Sequence, residues 1–332
     1  MFKKDPLQII AFQTYGTKTH VYLRGRALED ESIDLEQKGA FKLLINAWKR
    51  FGTDEIKHTG IRIKLGEDFV FSTRTNKDGY FIIEDTVDDI TRFLDEEGWV
   101  SFEFSYAEKH VGRKIQLQNR FVGEMLIPSS KASFGVISDI DDTILHTGIV
   151  SILKWRVLIN TLLTSAGKRI PLEGAPELYN LLHLGAKGNE ANPIFYVSHS
   201  PWNLYRYLEY FLKKNKFPKG PIILRSFPKL FYKKRNGFKP RKYKEIMNLL
   251  NTYPKLNFIL IGDIGEGDPD IYLEIAQLNP ERIKAIYLRS VADKKKIRRI
   301  AALYQPFKDI PVLLIENKNQ ALEHARKHGF IK

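Results

Sequence analysis

Beyond Lys131 the chain repeats one alternation: short, largely apolar runs, FGVIS, PIFYVS, IILRS, NFILIG, IKAIYL and IPVLLI, separated by amphipathic stretches such as PWNLYRYLEYFLKKN, KYKEIMNLLNTY and PDIYLEIAQL. A strand with one wet face alternates apolar and polar residues, whereas a continuous apolar run is covered on both faces. Intervening helices supply that cover, so residues 131–332 are expected to form an α/β domain with a doubly wound parallel sheet. Ligands in such sheets bind outside the carboxyl ends of the strands. The end of each run is therefore where chemistry is sought.

Residues 1–130 carry a different pattern. HVYLRGRAL, IRIKL, FVFSTR, YFIIE and WVSFEFSY are rich in β-branched and aromatic residues and partly alternate. Asp78-Gly79 between two of them predicts a hairpin. LEQKGAFKLLINAWKRFG, from Leu35 to Gly52, reads as one helix. The expectation is a mainly antiparallel β domain, sandwich-like or barrel-like, with a helical insertion.

Three of the apolar runs end on a polar residue: GVISD at Asp139, IFYVS at Ser198 and ILIGD at Asp263. Asp139 and Asp141 lie two apart on an extended segment, so they can face the same way with Ile140 turned into the core. Two carboxylates in one small space repel, and one tends to keep its proton unless a cation compensates. An ionised Asp139 can then act as a nucleophile while a protonated Asp141 acts as general acid and later as base. Asp139 and Asp263 offer oxygen ligands for Mg²⁺, a hard cation that takes one or two carboxylates plus phosphate oxygens and water. Ser198 and a lysine could hold phosphoryl oxygens.

Blander roles compete. Aspartates after strands often turn the chain or cap a helix. Ser200-Pro201 has the form of an N-cap followed by Pro at the first helical position, and Asp268-Pro269 has the same form, so Asp268 is a cap, a metal-shell ligand or both. A calcium loop is excluded for DIDDTILHTGIV, because Ile144 and Val150 stand where an EF-hand needs Gly and Glu.

The segments GVISDIDDTILHTGI, NPIFYVSHSPWNLYRYLEYFL, FPKGPIILR and FILIGDIGEGDPDIYLEI resemble the phosphatidate phosphatase family typified by the fungal actin-patch-associated enzyme and its bacterial relatives, within the haloacid dehalogenase superfamily. The resemblance covers about Phe134 to Val291 and extends more loosely into the N-terminal half. It implies a haloacid dehalogenase-like catalytic domain in which Asp139 is the nucleophile, Asp141 the acid/base and Ser198 the phosphate-binding hydroxyl. It further implies a Mg²⁺ site drawing on Asp139, Asp141, Asp263 and Asp268. The family lysine falls on Lys242, with Lys239 and Lys244 as close alternatives. Ile264, Ser226 and Ser290 depart from the family pattern, which has a serine at the first position and often aspartates at the other two.

Composition narrows the partners. With no cysteine there are no disulfides or thiolate metal sites, which favours a reducing, cytoplasmic setting. The longest apolar runs fall short of the ~20 residues of a membrane-spanning helix, and MFKKDPLQIIAF meets Asp5 and Pro6 before any apolar core of a secretory signal. Residues 1–130 have formal charge −2 and residues 131–332 have +16, so the basic excess lies with the aspartates. Lys213–Lys244 holds 13 Lys+Arg and no acid, interleaved with Phe217, Phe227, Phe231, Tyr232, Phe238 and Tyr243. Such a stretch suits peripheral contact with an anionic membrane surface. A solvated loop with inward aromatics, or a single-stranded nucleic acid partner, is less favoured. DKKKIRRI reads as the exposed face of a helix. The combined expectation is a Mg²⁺-dependent phosphomonoesterase acting on phosphatidate or a related anionic phospholipid. The alternatives are the same chemistry on a phosphoprotein or nucleic-acid end, and a non-catalytic phospholipid-binding module.

Overall fold

The computed structural model of the chain describes residues 5–29, 55–110, 112–140, 174–225, 239–264, 267–290 and 294–332. It divides into two compact units, Met1–Ile127 and Pro128–Lys332. The expected helix at 35–52 lies outside the described residues.

In the first unit, β1 (Leu7–Ala11), β3 (His20–Glu29) and β6 (Tyr80–Thr86) form one antiparallel sheet in the order β1-β3-β6. A second sheet runs β2 (Thr14–Tyr15), β8 (Phe121–Leu126), β7 (Trp99–Tyr106), β4 (Gly60–Leu65), β5 (Phe69–Arg74). It is antiparallel except where β2 lies parallel to β8. Alternation decides which side is buried: Ile61, Ile63 and Leu65 of β4 point inward while Arg62 is exposed. Residues of both sheets share one apolar core, with Phe81 of the first meeting Phe104 of the second at 5.9 Å between ring centroids. That is sandwich packing.

The Asp78-Gly79 turn forms but does not make the expected hairpin. Gly79 adopts φ 75°, and the Asn76 side-chain oxygen accepts from the N–H groups of Asp78 and Tyr80. The strands on either side belong to different sheets, because β5 pairs with β4 and β6 pairs with β3. The turn is a corner between layers.

The second unit contains six parallel strands: β9 (Gly135–Ser138), β10 (Ile194–Pro201), β11 (Ile222–Arg225), β12 (Phe258–Asp263), β13 (Ile283–Arg289) and β14 (Val312–Ile315). Their spatial order is β11-β10-β9-β12-β13-β14. The chain thus builds outward from β9 on one side, then returns to build outward on the other. Described helices are α1 (Ala175–Leu184), α2 (Tyr205–Lys214), α3 (Arg241–Thr252), α4 (Asp268–Leu278), α5 (Lys294–Tyr304) and α6 (Lys318–Lys327). Helices lie against both faces. On one, Tyr179 of α1 stacks on Tyr196 of β10 at 6.4 Å. On the other, a Cβ built on Gly262 would fall 2.8 Å from the Tyr272 ring of α4, and Gly262 points opposite to Ile261, the partner of Ser138. Burial of every residue of β9 and β12 accounts for their continuous apolar sequences. Of the DKKKIRRI segment, the residues from Lys294 onward lie in α5 with their lysines and arginines mostly exposed, as expected.

Candidate active site

β9 and β12 are neighbours at the reversal of strand order, where two crossovers diverge and leave a crevice at the carboxyl ends. Asp139 follows the last residue of β9, and its N–H donates to the Ile261 carbonyl at 2.8 Å. Asp263 is the last residue of β12. Asp268 opens α4 five residues later. The three aspartates are fully buried, and one carboxylate oxygen from each lies within 4.8 Å of the others.

Lys242 reaches the same space from the first turn of α3. A cation there opposes the helix dipole, so helix stability does not explain its position. Its Nζ donates to Asp139 Oδ1 at 2.7 Å and to Asp268 Oδ1 at 2.5 Å, with its side chain 1% exposed. Burial works against the ammonium, but the adjacent Asp139 and Asp268 carboxylates outweigh it and hold its pKa above the ordinary lysine value. Lys242 is therefore a cation at neutral pH. Lys239 instead pairs with Glu274 at the surface, and Lys244 is exposed. Of the three candidate lysines, the structure brings Lys242 to the carboxylates.

Two tyrosines and a glycine complete the frame. The Tyr272 hydroxyl donates to the Ile261 carbonyl at 3.0 Å and lies 3.5 Å from Asp268 Oδ2. Burial, reinforced by the Asp268 and Asp139 charges, raises its pKa well above that of a free tyrosine and keeps it a donor. A closed ring results, from the Asp139 carboxylate through Lys242, Asp268, Tyr272 and the Ile261 carbonyl back to the Asp139 N–H. On the opposite face, Tyr179 lies 2.5 Å from Ser138 Oγ, which donates to the Asp139 carbonyl at 2.7 Å. Burial raises the Tyr179 pKa, with the Ser138 hydrogen bond acting against the shift. Gly262 is required by close approach, since a Cβ there would lie 2.5 Å from Asp268 Oδ2.

Ser198 is buried two residues past Tyr196, the register partner of Ser138, and its Oγ accepts the Ser200 N–H at 2.8 Å. Ser200 is not a helix cap. Pairing between Pro201 and Arg225 extends β10 through Pro201, a 3₁₀ turn follows at Trp202–Leu204, and α2 begins at Tyr205. Asp268 is likewise not the cap of α4. Gly267 occupies that position, and Asp268 is the first helical residue, its carboxylate turned to Lys242 and Tyr272. Ile264 is buried, its N–H bonded to the Arg289 carbonyl, and Ile140 is buried as expected. Asp141 lies outside the described residues, as does Ser226. The sequence reading missed Ser138, Tyr179 and Tyr272. Tyr272 had one available signal, its spacing of four from Asp268 on a helix.

The basic stretch is described at 213–225 and 239–244. Lys213, Lys214, Lys216 and Lys219 are exposed, whereas Phe217 is buried against Phe211 and Tyr179. That aromatic belongs to the core and not to a membrane-facing set. Residues 226–238, with the Lys233-Lys234-Arg235 cluster, lie outside the described residues. No helix among the described residues is long and apolar enough to cross a membrane.

Residues 134–290 match the family described as "Phosphatidate phosphatase APP1, catalytic domain". Over 161 residues the chain is 36% identical to "Phosphatidate phosphatase APP1" of Saccharomyces cerevisiae, a match covering 48% of this chain and 26% of the yeast protein. An uncharacterized Schizosaccharomyces pombe protein is 28% identical over 222 residues, covering 67% of this chain and 34% of its own length. The chain thus spans about a quarter to a third of these relatives. Among solved structures, "Crystal structure of Bacteroides thetaiotamicron EndoBT-3987 with Man5GlcNAc product" aligns over 85% of this chain and 77% of that one, at 8% identity and a TM-score of 0.25, too low to carry an argument.

Proposed function

We propose, from the match of residues 134–290 to the phosphatidate phosphatase APP1 catalytic-domain family, that the chain is a Mg²⁺-dependent phosphatase of haloacid dehalogenase-like fold. It hydrolyses a phosphomonoester through an aspartyl-phosphate, with phosphatidate or a related anionic phospholipid as substrate. The supporting observation is the buried set Asp139, Asp263, Asp268 and Lys242 at the carboxyl ends of adjacent parallel strands. Burying three carboxyl groups and an ammonium together is costly, and an apolar core of the same volume serves stability as well or better. The arrangement is better explained by chemistry than by folding.

Asp139 attacks phosphorus, and the bond from phosphorus to the alcohol oxygen breaks. Asp141 delivers a proton to the departing alcohol. Asp141 then takes a proton from water as that water attacks phosphorus, releasing inorganic phosphate and returning Asp139 as a carboxylate. Lys242 holds the Asp139 carboxylate in place and supplies positive charge where the phosphoryl oxygens gather negative charge, and Ser198 offers a hydroxyl to those oxygens. Three carboxylates beside one ammonium, all buried, suit a hard divalent cation, and Asp139, Asp263 and Asp268, with Asp141, are the residues that would hold it. Bound Mg²⁺ would neutralise phosphoryl charge and orient the phosphate.

For a lipid substrate, the exposed lysines of Lys213–Lys244 provide peripheral contact with an anionic surface. The test is phosphate release from phosphatidate in mixed micelles, from glycerol 3-phosphate and from a 5′-phosphorylated oligonucleotide at one Mg²⁺ and salt concentration. Phosphatidate should have the highest kcat/KM, and EDTA should abolish turnover until Mg²⁺ is restored. Glycerol 3-phosphate equal to or above phosphatidate would refute the lipid assignment and leave the phosphatase assignment intact.

A further inference from the structure

Among the described residues, the carboxyl ends of β12, β13 and β14 open onto a cavity of about 410 Å³. Its lining joins apolar Leu178, Tyr179, Ile261 and Ala321 to charged Arg289, Glu316 and Lys318. That size and mixture of apolar and polar groups is characteristic of small-molecule sites. Two of its walls are also supports of Asp139. Ile261 accepts the Asp139 N–H, and Tyr179 reaches the Asp139 carbonyl through Ser138. Arg289 pairs in register with Asp263 across β12 and β13. The cavity therefore adjoins the aspartates along the same sheet edge.

We propose that this cavity receives the alcohol part of the phosphomonoester, an apolar-bodied alcohol bearing ester carbonyls close to its phosphate. The inference rests on Asp139 as the phosphoryl acceptor and adds to it the place where the leaving group lies. Arginine and lysine side chains only donate hydrogen bonds, so Arg289 and Lys318 suit carbonyl acceptors at the mouth. Lys318 pairs with Glu177 at 3.3 Å in a half-exposed contact that can re-form around a ligand. Leu178, Ile261 and Ala321 take the first methylenes beyond the ester.

Two substitutions fill the cavity from its accessible side: Ala175→Phe, at the half-exposed first residue of α1, and Asn319→Trp, at the exposed start of α6. Neither residue belongs to the proposed catalytic set. The measurement is kcat/KM for water-soluble dihexanoyl phosphatidate and for glycerol 3-phosphate, with thermal melts to confirm folding. Both variants should lose about tenfold or more on the dihexanoyl substrate while changing no more than about twofold on glycerol 3-phosphate. Equal losses on the two substrates, or no loss in either variant, would overturn the cavity assignment. Wild type inactive on both with Mg²⁺ would instead overturn the phosphatase reading, and the cavity assignment with it.

Discussion

The two units treat charge in opposite ways. The first buries an apolar core shared between its sheets, and its described ion pairs all keep some exposure, as with Arg113 and Glu29, whose side chains are 14% and 17% exposed at 2.6 Å. The second buries Asp139, Asp263, Asp268 and Lys242 at the ends of its central strands. Burial of apolar residues explains most strands of both units, and among the described residues only the second unit gathers an ammonium and several carboxyl groups at almost no exposure. Where a fold tolerates such a cost, function is the better explanation.

The largest expected effect comes from removing the ammonium. Lys242→Met keeps the volume but leaves two buried carboxylates facing one another, and breaking a buried pair from one side costs about 3–5 kcal/mol. Urea unfolding should register that loss, and phosphate release should fall to background. A variant as stable and active as wild type would erase the contrast between the units.

Next is Gly262→Ala. The added methyl falls 2.5 Å from Asp268 Oδ2 and 2.8 Å from the Tyr272 ring, so the ring of contacts around Asp139 must open. Overpacking of this kind costs about 1–3 kcal/mol. Turnover should fall more than stability, because α4 can shift and still pack while Asp268 leaves Lys242. Parallel measurement of kcat and the urea midpoint separates the two.

The smallest effect belongs to the first unit. Arg113→Gln removes the Glu29 ion pair and a bond to the Asp5 carbonyl, and should cost about 1–2 kcal/mol with no change in kcat on a soluble substrate. A changed kcat would mean that the first unit takes part in the chemistry.

Local signals were legible and non-local ones were not. The six apolar runs became the six parallel strands, and the strand ends at Asp139 and Asp263 came together, because double-sided burial and the carboxyl-end rule act on each run by itself. The turn at Asp78-Gly79 was legible as a turn, but which strand β6 would join depends on β3, more than fifty residues earlier. Ser200-Pro201 carried a helix-start signal that the pairing of Pro201 with Arg225 overrode. Asp268-Pro269 did begin a helix, yet the carboxylate turned from the backbone to Lys242, since a buried ammonium binds a carboxylate more strongly than an N–H does. Tyr179 and Ser138 lie 41 positions apart and meet only through the sheet, so no pattern around either residue announces their contact.

The proposed chemistry depends most directly on Asp139 as nucleophile. The decisive measurement is Mg²⁺-dependent phosphate release by purified Asp139→Asn beside wild type, on phosphatidate and on a soluble aryl phosphate, with circular dichroism and melting confirming the fold. An amide cannot form the acyl phosphate, so turnover should drop by about three orders of magnitude or more on both substrates while the protein stays folded. Turnover by a folded Asp139→Asn within about tenfold of wild type on either substrate would contradict the role of Asp139 as nucleophile.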